Sequence, residues 1–380
     1  MRKILTLVGT RPEIIKLSRV IAQLDEYTNH ILVHSGQNYD FELNQIFFDE
    51  LNISKPNYFL DAVGASVAET IGNVISKLDA ILEAEQPDAM LIYGDTNTCL
   101  GVIPAKRRHI PIFHMEAGNR CFDMRVPEEI NRKVVDHLSD INMVITEHAR
   151  RYLLAEGLPG ETIFKVGSSM PEVLEHHRES ISQSTVLTDL GLKSGAYFVV
   201  SSHREENVDS PIALATLIAT LNALANYYDY PIIFSTHPRT RLRLATIGEV
   251  TLDPRIRLVR PLGFHDYIHL QTSAACVLSD SGTIWEESSL LGFPAVTIRN
   301  AHERPEGMDE GTLIMCGLSK EPVLDAVRIA MAQRPYFTPS PVGDYQGGAV
   351  SVKVIRIILS YIDYINAITW RKPGQPQTYA

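Results

Sequence analysis

A repeated local pattern restricts this chain more than any other feature. A short apolar run breaks at a loop of Gly, Asp, Ser or Thr, and apolar residues then recur at helical spacing. Residues 4–8 (ILTLV) end at Gly9-Thr10-Arg11-Pro12-Glu13, after which Ile14, Ile15, Leu17, Val20, Ile21 and Leu24 follow the helical period. Residues 31–34 lead into Ser35-Gly36-Gln37-Asn38-Tyr39-Asp40, 89–93 into Gly94-Asp95-Thr96-Asn97-Thr98, and 110–115 into Glu116-Ala117-Gly118. The second half repeats the pattern, with 197–201 before His203, 232–235 before His237-Pro238-Arg239, 276–278 before Ser279-Asp280-Ser281-Gly282-Thr283, and 295–298 before Arg299. Such alternation implies an α/β fold with parallel, doubly wound sheets whose ligands lie at the carboxyl ends of the strands.

At 380 residues the chain exceeds one ordinary core, and 45% hydrophobic residues suffice for two. Gly157-Leu158-Pro159-Gly160 and Gly167-Ser168-Ser169 place the boundary near residue 168, giving domains 1–168 and 169–353. The apolar pattern of 350–370 predicts a long helix that crosses back to the first domain from about residue 354, followed by a frayed tail. A formal charge of -10 opposes binding to nucleic acid or an anionic membrane, which leaves a metabolite as partner. The four cysteines form no C-x-x-C pair, so neither a disulfide scaffold nor a zinc cage is indicated. The apolar stretch after Arg2-Lys3 is too short for a signal peptide and no run reaches a membrane span, consistent with a cytoplasmic protein.

Residues 113–137 (FHMEAGNRCFDMRVPEEINRKVVDH) concentrate the candidate chemistry. Glu116 ends a strand run, and Pro127 opens a helix whose first turn holds Glu128 and Glu129, with Ile130, Val134, Val135 and Leu138 as its apolar face. The helix dipole favours first-turn carboxylates whether or not they react. With Glu116, Arg120, Arg125 and Arg132 close in sequence, however, the set has the makings of a pocket that binds an anion and moves a proton. Asp95 occupies the equivalent strand end one unit earlier and points into the same crevice if the two strands are neighbours; a plain helix N-cap is the alternative. Arg11 and Lys16 face the crevice from the first loop, which fits neither dinucleotide nor P-loop fingerprints. Ser281-Gly282 before a helix suits a diphosphate, while Thr283 to Glu286 also fits a capping box. His176-His177 reads as a solvated pair.

The motifs GTRPEIIK, GQNYD, YGDTNT, HMEAG, PEEINR, SSHREEN, STHPRT, LSDSGT and HERPEG follow one another over nearly the full chain. In this order they resemble the non-hydrolysing UDP-N-acetylglucosamine 2-epimerase family. The resemblance implies two Rossmann-like domains facing a cleft in the glycosyltransferase B arrangement, a UDP-sugar in that cleft, no cofactor or metal, and a homodimer. Carried over by motif, Asp95, Glu116, Glu128, Arg132 and His203 become the catalytic set, with Arg11 and Lys16 on the diphosphate or sugar side. Ser281, Gly282 and Arg304 would hold phosphate, Glu287 the ribose hydroxyls, and Tyr267 the uracil. The implied reaction inverts C2 by eliminating and re-adding UDP. A glycosyltransferase of the same architecture is the competing expectation.

Three departures narrow the match: NRCFDMRV replaces a segment that contains S-P in glucosamine-type members, Asn38 stands where His is common, and Thr283 replaces the second glycine of S-G-G. This version is similar to the branch that makes UDP-N-acetyl-L-fucosamine from its talose C2 epimer, for surface polysaccharide synthesis; the alternatives within the family are the UDP-N-acetylglucosamine/UDP-N-acetylmannosamine pair and a UDP-diacetamido-uronate.

Overall fold

The computed structural model describes residues 1–36, 41–236, 238–246, 251–335 and 341–373. Asn38, His237 and the tail from 374 lie outside them. The chain forms two compact units, one of Met1–Glu175 with Asp344–Ala380 and the other of His176–Gly343.

In the first unit, strands β1 (Lys3–Val8), β2 (Asn29–His34), β3 (Tyr58–Phe59), β4 (Ala89–Tyr93), β5 (Ile112–Met115), β6 (Ile141–Val144) and β7 (Ile163–Lys165) form one sheet in the order β3-β2-β1-β4-β5-β6-β7. All its strand pairings are parallel. Its strands read as continuous apolar runs because helices cover both faces, and β4 is buried along its whole length. Because β4 pairs with β5 through Tyr93 and Met115, the loops carrying Asp95 and Glu116 leave the sheet side by side. The condition set by the sequence for these two acids is therefore met.

The second unit holds β8 (Phe198–Ser201), β9 (Ile232–Ser235), β10 (Ile256–Val259), β11 (Cys276–Ser279), β12 (Ala295–Thr297) and β13 (Ile314–Met315) in the order β10-β9-β8-β11-β12-β13. Both sheets thus reverse direction between their first and fourth strands, the switch point at which doubly wound sheets bind ligands. The doubly wound Rossmann-like fold follows for each unit.

The boundary lies later than residue 168, and hydrogen bonds explain why. Glu172, in helix Met170–His176, accepts the Ser351 amide at 2.9 Å, which binds that helix to the first unit. The returning segment begins at Asp344 rather than near 354, because the Asp344 carboxylate accepts the Glu147 amide at 2.8 Å and Lys165 Nζ at 2.6 Å. Helix Val350–Ile368 then packs on helix Arg11–Tyr27, burying Val354, Ile358, Ile362 and Ile365, each worth about 1.5–3 kcal/mol. Among the described residues no helix is long and apolar enough to cross a membrane.

Three local expectations are corrected. His177 is buried, with its Nδ1 3.0 Å from His265 Nε2; only His176 is exposed. Of the predicted apolar face, Val135 is buried and Val134 and Leu138 pack against the core, whereas Ile130 lies on the exposed side; the hydrogen-bonded Glu129, Asn131, Arg132 and Asp136 are buried beside that stripe. Thr283 has helical dihedrals and makes no side-chain cap; its hydroxyl lies 3.0 Å from that of Ser281, so the capping box does not form.

Candidate active site

Three neighbouring strand ends of the first unit carry the acids and cations. Glu116, directly after β5, has φ 62°, a left-handed conformation that a side chain other than Asn, Asp or Gly seldom adopts. Gly118 follows with φ 81°, and a Cβ there would lie 2.6 Å from the Ala149 carbonyl oxygen, so the turn is fixed on both sides of Ala117. Glu116 Oε2 accepts Lys16 Nζ and the Tyr93 hydroxyl, each at 2.7 Å. Lys16 is only 2% exposed, and its ammonium also lies 5.6 Å from the centre of the Tyr93 ring. Asp95 is not an N-cap: Thr96 occupies that position before the 3-10 turn Asn97–Gly101, and Asp95 Oδ2 accepts Arg132 Nε at 2.8 Å.

Helix Pro127–Leu138 carries both glutamates of PEEINR, in different surroundings. Glu129 is fully buried and accepts the amides of Cys121 and Phe122 at 3.1 and 3.2 Å and Arg132 Nη1 at 2.8 Å. Burial alone would raise its carboxyl; the Cys121 amide and Arg132 outweigh burial and hold it below the usual range. Glu129 thereby fixes the loop before the helix. Glu128 is half-buried and, four residues before Arg132, shares that residue's helical face. Arg11 lies over the Phe47 ring, 5.7 Å from its centre.

In the second unit, Asp280 at the end of β11 organises the loop after β8. It accepts the amides of His203 and Arg204, the Ser202 hydroxyl and the Asn207 side chain at 2.8–3.1 Å. Its Oδ1 lies 3.1 Å from His203 Nδ1, so a proton on that nitrogen can be shared with the carboxylate. Burial pushes the Asp280 carboxyl up, but His203, Ser202 and Asn207 together hold it well below the ordinary value. Ser281 and Gly282 precede helix Ile284–Leu291, and Gly282 admits no side chain without displacing Glu303, whose Oε1 would lie 2.5 Å from a Cβ. Glu287 accepts Gln271 Nε2 at 2.8 Å. Arg304, 2% exposed, approaches Glu286 at 3.9 Å. Tyr267 is partly buried against the core formed by Tyr197, Leu270 and Trp285.

The sequence profile of one family, described as UDP-N-acetylglucosamine 2-epimerase, matches residues 22–359. The chain belongs to that family. It is accordingly an isomerase by family. A solved UDP-N-acetylglucosamine 2-epimerase from Rickettsia bellii is 55% identical and superposes with a TM-score of 0.92, covering 98% of this chain and 100% of that one. The Methanocaldococcus jannaschii UDP-GlcNAc 2-epimerase, solved in complex with UDP-GlcNAc and UDP, is 33% identical with a TM-score of 0.87 over 94% of this chain and 99% of that one. A UDP-2,3-diacetamido-2,3-dideoxy-D-glucuronate 2-epimerase from Pseudomonas aeruginosa is 34% identical over 87% of this chain and 93% of its own length.

Of the residues singled out in sequence, the structure joins Lys16 to Glu116 and Arg132 to Asp95 in the first unit, and His203 to the Ser281 loop through Asp280 in the second. Reasoning from sequence gave no role to Tyr93, Asp280 or Glu13, and did not distinguish the buried Glu129 from Glu128. Glu13 is buried, and burial pushes its carboxyl up to about 7 against hydrogen bonds from Thr96, Gly9 and Thr10. The motifs GTRPE, PEEINR and LSDSGT contain three of these residues, but proximity in sequence does not reveal which of two adjacent acids turns inward. Among the described residues no group of three His, Cys, Asp or Glu side chains is placed to hold a metal ion.

Proposed function

We propose that this family member is a non-hydrolysing 2-epimerase of a UDP-N-acetylamino sugar. The observation that carries the reading is Glu116, an acid in a strained backbone conformation, hydrogen-bonded to a buried lysine and a tyrosine at a strand end. Strain retained at such a place marks a group held for chemistry. In the reaction a carboxylate removes the C2 proton, the C–H electrons form the C1=C2 double bond, and the C1–O bond breaks to release UDP. A proton then reaches C2 from the opposite face and the UDP oxygen re-forms the bond to C1. Electrons balance without an external oxidant.

Asp95, Glu116 and Glu128 share the proton transfers, Arg132 orients Asp95, and Lys16 and Arg11 stabilise the departing diphosphate. Ser281, Gly282 and Arg304 hold phosphate, Glu287 the ribose and Tyr267 the uracil, and His203 belongs to the assigned catalytic set. The working form in this reading is a cytoplasmic homodimer.

The substrate we assign is UDP-2-acetamido-2,6-dideoxy-L-talose, giving UDP-N-acetyl-L-fucosamine. Support comes from the NRCFDMRV segment, which exposes Phe122 and Met124 ahead of Glu128, apolar groups suited to a sugar whose C6 is a methyl. The 55% identical Rickettsia bellii protein favours UDP-N-acetylglucosamine as the second reading, and the Pseudomonas relative a diacetamido-uronate as the third. Proton NMR in D2O with UDP-N-acetyl-L-fucosamine, and separately with UDP-N-acetylglucosamine, tests the choice. C2 deuteration and a new C2 epimer in the first tube alone supports the deoxy sugar, and in the second alone overturns it. Exchange in neither overturns both of these substrates and leaves the uronate or a transferase.

A further inference from the structure

Among the described residues the hydrogen bonds of Glu13 go to Gly9, Thr10 and Thr96; it is 3% exposed and uses both carboxylate oxygens. Oε2 accepts the amides of Gly9 at 2.6 Å and Thr10 at 3.3 Å. The Thr10 contact is the ordinary reach-back of an acid in the first turn of a helix. The other oxygen has a different role: Oε1 accepts the hydroxyl of Thr96 at 2.7 Å, 83 residues away and directly after Asp95. Local capping of helix Arg11–Tyr27 does not require this bond.

The chain around Asp95 is held at three points. The carbonyl before it, of Gly94, accepts His114 Nε2 at 2.8 Å, and its own carbonyl accepts Asn131 Nδ2 at 3.0 Å. Thr96 after it is bound to Glu13. The β1 and β4 loops also touch through Gly9, where a Cβ would lie 2.1 Å from Thr98 Oγ1 and 2.3 Å from Ser35 Oγ. Those two hydroxyls lie 2.8 Å apart. The contact is too close for any residue but glycine, so the loops cannot slide without breaking the Glu13 bridge.

We propose that Glu13 is a positioning residue for the epimerase reaction, a strut that holds the loop of Asp95 against the loop of Arg11 through the Thr96 hydroxyl. It rests on the proton-transfer role given to Asp95 above. A displacement of about 1 Å at a reacting group can cost on the order of 100-fold in rate, so loss of the strut appears in kcat while the nucleotide contacts keep KM.

The test uses the full chain with whichever of UDP-N-acetyl-L-fucosamine and UDP-N-acetylglucosamine the unaltered protein turns over. Thr96→Val, nearly isosteric, and Glu13→Gln are expected to lower kcat by about 10-fold or more with KM within about twofold, and Thr96→Ser to restore it. Amide hydrogen exchange over residues 94–101 is expected to quicken in Thr96→Val and Glu13→Gln and to remain unchanged in the second unit. Unchanged exchange over 94–101 overturns the strut, as does wild-type kcat in both variants or failure of Thr96→Ser to recover. If the unaltered protein turns over neither sugar, the epimerase reading of those sugars fails, whereas the hydrogen-exchange result still decides whether the strut exists.

Discussion

Glu13, in the first turn of the helix after β1, and Asp280, directly after β11, are both buried carboxylates beside central strands in sheets of the same order, and they shift in opposite directions. Glu13 receives two amides and one hydroxyl, and burial prevails. Asp280 receives two amides, a hydroxyl and a side-chain amide, and an imidazole stands beside it. One more donor and a ring able to carry charge reverse the balance. Asp280 is therefore a fixed anion on which the loop after β8 is built, while burial raises the Glu13 carboxyl to about 7. In the proposed reading, the shared fold divides a nucleotide-binding unit from the unit that carries the proton-transfer groups.

That division is most exposed to Glu116→Gln, which we expect to cut turnover by about 1,000-fold while UDP affinity by calorimetry stays within about twofold; an equal loss of UDP affinity breaks the division. Glu128→Gln is expected to behave alike. Next in size is Arg132→Met, which leaves Glu129 and Asp95 without their shared cation and should lower stability by roughly 3–5 kcal/mol in urea unfolding. A stability close to that of the parent would mean that the pairing is not structural.

The opposite shifts predict opposite pH slopes. Because the folded Glu13 carboxyl is raised from 4.5 to about 7, the native state holds its proton between those values when the unfolded chain does not. Its contribution to stability is therefore fully present below 4.5 and falls as pH rises through 7, by roughly 3 kcal/mol. Glu13→Gln should flatten that slope. Asp280 is depressed from 3.8, so its contribution is present above that value and is lost as pH falls through its folded pKa; Asp280→Asn should remove this acid-side loss and cost about 1.5–3 kcal/mol at neutral pH. Urea midpoints read above pH 4.5 for Glu13 and below pH 3.8 for Asp280 separate the two, and equal slopes in both variants would remove the contrast. The smallest effect belongs to Gly282→Ala, expected to weaken UDP binding about tenfold, or 1.4 kcal/mol, by displacing Glu303, with kcat retained.

Much of this arrangement was legible in sequence because strands and loops are local. Apolar runs broken by Gly-Thr-Arg-Pro, Gly-Asp-Thr and Ser-Asp-Ser-Gly gave the alternation, and the strand ends carried Asp95, Glu116 and Ser281 where the sheets position them. Partners distant along the chain stayed hidden. Lys16 and Glu116 are 100 residues apart, and nothing local indicates that they meet. Helical spacing located the helix of Glu128 and Glu129 and its inward Val134, Val135 and Leu138, but not the burial of Glu129, Asn131, Arg132 and Asp136, which rests on hydrogen bonds rather than on apolarity. The same cause moved the domain boundary: Glu172 and Asp344 hold segments that glycine-rich punctuation had assigned elsewhere.

The return of helix Val350–Ile368 to the first unit sets an order of events during synthesis. The second unit is continuous in the chain and can fold as soon as Gly343 has left the ribosome, whereas the first, although begun earlier, lacks the helix that covers Arg11–Tyr27 until translation is almost complete. At about 5–20 residues per second that face stays uncovered for on the order of 10–40 s after the rest of its sheet has emerged. The nascent protein is thus most vulnerable to aggregation at its oldest part, and a premature stop before Val350 would release a chain with a finished second half and an unfinished first.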